Sequence, residues 1–193
     1  MKAIEIIQKI DRLKCRVVRI RDLAKLTNTY NDNTLYKIVE RLIKNGILTR
    51  IAHGLYMQSD NTPESFEIAN VLYAPSYVSL ESALYRYGVI DQAPYIITSV
   101  TPRKTKKKTV FSHEYEYVHL NPKFFFGYIR DKNILIAVQE KALLDLLYLV
   151  SKKTRSINLN NLDWTTVRKN VFNRYARLYK YNPLARLIKR IRP

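Results

Sequence analysis

Along residues 2–57 the apolar positions recur first on a helical period and then in short alternating runs, and the change marks out a small domain. Over Lys2–Lys14, the residues Ile4, Ile7, Ile10 and Leu13 predict an amphipathic helix with Lys9, Arg12 and Lys14 outside. Val17-Val18 reads as a short strand or as core. Arg19–Leu26 predicts a second helix, with Ile20, Leu23, Ala24 and Leu26 on its apolar side. Thr27–Asn33 is turn chemistry ending in an N-cap at Asn33, because Asx side chains accept from free helix N–H groups. From about Thr34 to Asn45, the residues Leu35, Ile38, Val39 and Leu42 form one buried stripe. At ~100° per residue, Thr34, Lys37, Arg41 and Lys44 share the far side. Gly46 suits a helix C-cap, and Ile47–Ile51 with Leu55–Met57 read as a hairpin across Ala52-His53-Gly54. Helix, turn, helix, glycine stop and hairpin arrive in the order of a winged helix-turn-helix, whose second helix lies in the major groove.

Beyond Gln58 the period changes. Ser59–Pro63 is polar and turn-rich, a joint between domain 1–58 and domain 59–193. Glu64–Tyr73 predicts a helix apolar on more than one side, stopped at Ala74-Pro75. Ser79 caps a helix of about two turns ending at Gly88. Tyr95–Val100 is β-branched and predicts a strand. Thr109-Val110-Phe111 returns as its partner after a basic turn over 102–108. Tyr115–Leu120, Phe124–Tyr128 and Ile134–Ala137 read as further strands. Gln139–Val150 is a helix with Ala142, Leu143, Leu146, Leu147 and Leu149 inward. Two basic helices complete the tail 151–193. In Trp164–Tyr181, Val167, Val171, Tyr175 and Leu178 face one way and Lys169, Arg174, Arg177 and Lys180 the other. Past Pro183, the residues Leu184, Leu187, Ile188 and Ile191 align over Leu184–Arg192. The fold class expected is therefore α+β: an N-terminal winged helix-turn-helix, then a mixed domain with a mostly antiparallel sheet and basic C-terminal helices.

Charge sharpens this picture through its distribution. The net charge is +18, of which residues 1–58 contribute +7, residues 59–150 zero and residues 151–193 +11. A general solubility charge has no reason to spare the centre. Phosphate neutralisation by Lys and Arg releases counterions and supplies much of the affinity for nucleic acid, so double-stranded DNA is the expected partner. No run approaches the ~18 apolar residues of a membrane span, and the opening residues lack a signal-peptide core. The lone Cys15 reads as a reduced core residue of a cytoplasmic protein. His53, His113 and His119 are scattered, so neither a metal site nor a cofactor is expected.

The segment Pro75-Ser76-Tyr77-Val78-Ser79-Leu80-Glu81-Ser82-Ala83-Leu84, followed by Gly88, resembles the antitoxins of AbiE abortive-infection systems, which are type IV toxin–antitoxin pairs. Ala137–Asp145 is similar to that family's other recurrent segment, and His53-Gly54-Leu55-Tyr56 to the end of its winged domain. The resemblance spans about residues 3–150. It implies a two-part protein that binds inverted repeats in its own promoter and represses the operon. It also implies a second domain that counters a nucleotidyltransferase-like toxin without needing a stable complex. Ser79, Ala83, Gly88, Glu140, Lys141 and Asp145 are the positions most specific to the family motif. The basic tail is not assumed to follow the family pattern.

Residue by residue, Asn33, Thr34, Tyr36, Lys37 and Arg41 are assigned to the groove, with Lys37 or Arg41 able to reach guanine O6/N7. Lys44, Arg50 and His53 would meet phosphates or the minor groove. Arg19 and Arg21 would meet backbone phosphate and carry no sequence information. Lys104, Lys106, Lys107 and Lys108 form a basic loop tip, a second phosphate contact or a surface for an acidic partner. The rival reading of each cation is a solvated face. A membrane-surface role for the tail is disfavoured, since its apolar faces serve equally to dock on the central domain. A winged-helix regulator with a ligand- or protein-sensing domain is the alternative function. A Mg²⁺-dependent nuclease built on Glu114, Glu116, Glu140, Lys141 and Asp145 is less favoured, because no compact acid-x-lysine core follows a strand. The protein is expected not to be an enzyme.

Overall fold

The computed structural model describes residues 3–12 and 16–191. The readings placed on Lys2, Leu13, Lys14, Cys15 and Arg192, and on the side chain of Ile4, lie outside what is described. The chain is α+β and divides into two compact units, Met1–Leu72 and Tyr73–Pro193.

The first unit runs α1 (Ala3–Arg12), β1 (Val17–Arg19), α2 (Ile20–Thr27), α3 (Asp32–Lys44), β2 (Leu48–Ala52), β3 (Leu55–Gln58) and α4 (Ser65–Leu72). Its sheet has the order β1-β3-β2, antiparallel throughout. Val17-Val18 is thus a strand, pairing with Tyr56-Met57. One core joins the elements, with Ile6, Ile10, Val18, Leu23, Leu35, Val39, Leu42, Leu48 and Tyr56 all buried. Ile10 is buried as the sequence stripe predicts, but its inward companion is Ile6, with Ile7 only half-buried. Lys9 is not simply outside: its ammonium donates to the Leu26 carbonyl at the end of α2, where a cation satisfies a free C=O. The joint expected at 59–63 lies inside this unit, and α4 belongs to it.

Two end signals fix α3. Asn31, not Asn33, is the N-cap: its Oδ1 accepts from the Thr34 amide at 3.1 Å. The geometry decides between the two asparagines, because a cap must reach the third residue of its helix. At the other end, Gly46 takes φ +68°, Gly46 N–H donates to Ile43 O and Ile47 N–H to Leu42 O. This is the paired C-terminal closure that a left-handed glycine permits.

The second unit contains β4 (Tyr77–Val78), α5 (Leu80–Arg86), β5 (Ile96–Thr101), β6 (Lys106–Val110), β7 (His113–His119), β8 (Tyr128–Asp131), β9 (Ile134–Ala137), α6 (Gln139–Ser151), α7 (Lys169–Ala176) and α8 (Asn182–Ile191). The six strands lie in the order β6-β7-β5-β4-β9-β8. The sheet is mixed rather than mostly antiparallel: β5–β7 and β4–β9 are parallel pairs. The strand expected to return beside β5 does not do so. β6 pairs with β7 through a two-residue turn at Phe111-Ser112, both at positive φ, which is the twist-matched hairpin turn. β7 carries the buried Tyr115 and Tyr117 and so takes the interior place beside β5. β6 carries Lys106, Lys107 and Lys108 and takes the edge, where lysines also discourage further strand pairing. Those lysines therefore lie on a strand and not at a loop tip. Phe124–Gly127 is not a strand either: Pro122–Phe124 form a 3₁₀ turn, and only Tyr128 onward pairs with β9.

α5 packs on α6, and α6 carries α7 and α8. The helix read as one-sided is buried on every face from Glu140 to Leu149, as expected of a helix at the centre of a domain. In the tail, the long helix expected over Trp164–Tyr181 is reduced to the eight residues of α7. Phe172 is its buried residue, Val167 before it and Tyr179 after it are also buried, and Leu178 is exposed. The helix stops before Leu178 and the chain turns, which moves Tyr179 onto the buried side. Pro183 lies in the first turn of α8, whose Leu184 and Leu187 are buried as the period predicts.

Candidate functional site

Two places bring the predicted residues together, one in each unit. In the first, α3 presents Asn33, Thr34, Lys37, Arg41 and Lys44 to solvent while its opposite side fills the core. Glu40, also exposed, flanks this row on the side of Tyr36. Tyr36 is half-buried, its ring 6.5 Å from that of His53 in the β2–β3 turn. That turn is held to the start of α2, because Ile20 N–H donates to Gly54 O at 2.9 Å. Gly54 has φ +69°, and a Cβ there would meet Ile20 at 3.4 Å. Arg50 is exposed on β2, its guanidinium 5.8 Å from the Tyr56 ring. Burial pushes the Tyr56 phenol up, partly offset by Arg50. Arg19 and Arg21 are exposed at the opening of α2, where the Arg19 amide donates to Asp22. The helix and hairpin cations thus share one unit, with the turn fixed to α2 and the ring of His53 beside α3.

The second place is closed to solvent. Lys141 and Asp145, one turn apart on α6, form an ion pair with both side chains fully buried. Asp145 Oδ1 also accepts from the Tyr179 hydroxyl at 2.6 Å. Its Oδ2 accepts from Tyr77 at 3.0 Å and Ser79 at 2.9 Å. Lys141 Nζ donates in turn to Tyr77 Oη at 2.8 Å, and the rings of Phe126, Tyr77 and Tyr179 lie 4.9–5.4 Å from the ammonium. Burial, reinforced by the Asp145 charge, pushes the Tyr77 and Tyr179 phenols well up, so both keep their protons and serve as donors. Burial pushes Lys141 down while Asp145 pulls it back up. Every oxygen of the carboxylate is engaged, so the pair satisfies the conditions under which a buried ion pair persists.

Four family-motif positions meet here or beside it. Ser79 supplies its hydroxyl to Asp145 and so does not cap α5 through its side chain. The turn before α5 is held by Thr98 instead, whose Oγ1 donates to Ser79 O and accepts from Ser82 N–H. Glu140 is buried and takes two hydrogen bonds from the Arg168 guanidinium at 2.7 and 3.1 Å. Burial alone would raise its carboxyl, but Arg168 and backbone hydrogen bonds hold it below the usual range. Of the other motif positions, Ala83 is buried on α5, and Gly88 closes that helix at φ +69°. Sequence reasoning missed Tyr77, Thr98, Phe126 and Tyr179 as members of this cluster.

Gly127 completes the cage. At φ +71°, a Cβ on it would stand 2.9 Å from Lys141 Cγ and 3.2 Å from Cδ. Lys141 is sealed and cannot retreat. Gly127→Ala is therefore expected to cost about 2–5 kcal/mol, combining a left-handed residue with overpacking; chemical unfolding monitored by circular dichroism measures it. A cost below about 1 kcal/mol would contradict a rigid cage.

The remaining cations are dispersed. Lys104 and Lys106 are exposed, Lys107 lies 4.0 Å from Glu116, and Lys108 is half-buried and pushed down by burial, Lys106 and Arg103. Lys169, Arg174, Arg177 and Lys180 are exposed on or beside α7. Arg155 bridges Glu81 and Glu116, which removes Glu116 from any open carboxylate cluster. Among the described residues, no group of three His, Cys, Asp or Glu side chains is placed to hold a metal ion. No helix among them is long and apolar enough to cross a membrane. No protein-family model and no curated protein matches the chain.

Proposed function

We propose that residues 1–58 form a winged helix-turn-helix and that the protein is a DNA-binding antitoxin of the type IV kind, repressing its own operon and counteracting a nucleotidyltransferase-like toxin. The observation that carries the DNA-binding part is the exposed row Thr34, Lys37, Arg41 and Lys44 on a helix capped at both ends. The β2–β3 hairpin bearing Arg50 and His53 supports it as the wing. Recognition helices read base edges with such residues, and the wing adds backbone contacts. The antitoxin part rests on the resemblance at residues 75–88 and 137–145. The protein acts in this reading without catalysis of its own: Glu116, Glu140, Lys141 and Asp145, four of the five residues of the nuclease alternative, are engaged in internal pairs. A plain winged-helix regulator remains the second reading, supported by the same α3 face.

A gel-shift series on the upstream inverted repeat tests the proposal. Binding is expected to weaken steeply with salt, by about one decade of affinity per decade of salt for each phosphate neutralised. Salt-insensitive binding, or no preference for the repeat over random duplex, would refute it. Co-expression with a nucleotidyltransferase-like toxin encoded in the same operon separates the two readings, since only an antitoxin restores growth.

A further inference from the structure

A groove of about 520 Å³ runs between α7 and α8 in the second unit. Leu184, Ile188 and the half-buried Tyr181 give it apolar lining. Arg177 and Lys180, at and after the end of α7, and Lys189, on α8, are exposed and line it. No acid lines it. The single acid of residues 151–193, Asp163, is occupied by the amide and hydroxyl of Thr165. Arg174, Arg186 and Arg190 are exposed on the same two helices, outside the groove.

We infer that this groove binds a short stretch of single-stranded nucleic acid, with phosphates on Arg177, Lys180 and Lys189 and a base laid on Tyr181. Cations beside an accessible aromatic ring are the combination that takes unpaired nucleotides: cations follow the backbone, and a ring offers any base a stacking face. A duplex hides its base faces inside the stack and has nothing to place on the ring. The volume falls within the range that holds a small organic ligand such as a nucleotide. The Tyr181 ring is steadied edge-on against Tyr148 at 5.4 Å. An acidic peptide would satisfy the three cations, but its carboxylates bring no ring to lie on Tyr181, whereas each nucleotide brings a phosphate and a base together.

The full chain carrying Lys37→Ala and Arg41→Ala isolates this surface from α3. Fluorescence anisotropy would compare labelled single-stranded DNA and RNA octamers, the same sequence as duplex, and a glutamate-rich peptide. Single strands should bind at least several-fold tighter than duplex or peptide. Adding Lys180→Ala and Lys189→Ala should lower the salt slope by about 1.4, from about 0.7 per phosphate on a single strand. Tyr181→Leu should weaken binding roughly five- to a hundredfold with the slope unchanged. Should that variant unfold, Ala185→Glu, which places an acid at an exposed groove position, should abolish binding. Equal affinity for duplex, preference for the peptide, or single-strand binding unaffected by the groove variants would overturn the inference. None of these results depends on whether α3 reads a promoter.

Discussion

Asp145→Ala is expected to destabilise the second unit by about 3–5 kcal/mol, because it strands the buried Lys141 ammonium without its counter-ion. The same change deprives Tyr77, Ser79 and Tyr179 of their acceptor. Against a typical domain stability of about 5–15 kcal/mol, that is a large share. Much of the cost is the uncompensated charge, so removing that charge should return part of the stability. Lys141→Met combined with Asp145→Asn keeps the volume and leaves an amide to serve the hydroxyls. This pair should be more stable than Asp145→Ala. Guanidinium unfolding read through the tyrosines reports on the second unit, where 12 of the 15 lie. A double variant less stable than Asp145→Ala would show that the pair is not balanced by its own charges.

The chain announced some of this and concealed the rest, for identifiable reasons. α3 was legible because its apolar stripe recurs over three turns and a glycine ends it. Its start is ambiguous in the sequence because both Asn31 and Asn33 offer the same cap chemistry, and only backbone geometry separates them. The pairing of Lys141 with Asp145 follows from their spacing on a helix. Its burial does not, since the same spacing occurs on solvated faces. What seals it comes from Tyr77, 64 residues before Lys141, and Tyr179, 34 residues after Asp145. Contacts over such separations leave no local period. The strand order was hidden likewise: β6 and β5 are adjacent in sequence, but the lysines of β6 belong at an edge, and β7 intervenes. The sequence does carry one signal of the burial of Lys141 and Asp145. Residues 140–149 contain apolar residues around the whole helix, which marks a central helix and should have implied that its charges were paired inside.

The second large effect concerns α3. Lys37→Ala with Arg41→Ala is expected to weaken binding to the promoter repeat roughly a hundredfold or more, since a well-placed bidentate contact discriminates by about 1–3 kcal/mol and two are removed. Both side chains are exposed and alanine favours a helix, so the fold should be nearly untouched. Arg50→Ala provides the contrast. An arginine on the hairpin that meets phosphate should weaken all duplexes alike and reduce the salt slope by about 0.9. The two variants must therefore differ in kind: one loses preference among sequences, the other loses affinity without preference. Titrating promoter and scrambled duplexes at three salt concentrations distinguishes them. If both lower binding to the two duplexes equally, α3 acts only as a positive surface, and the groove assignment of Lys37 and Arg41 fails even though the protein binds DNA.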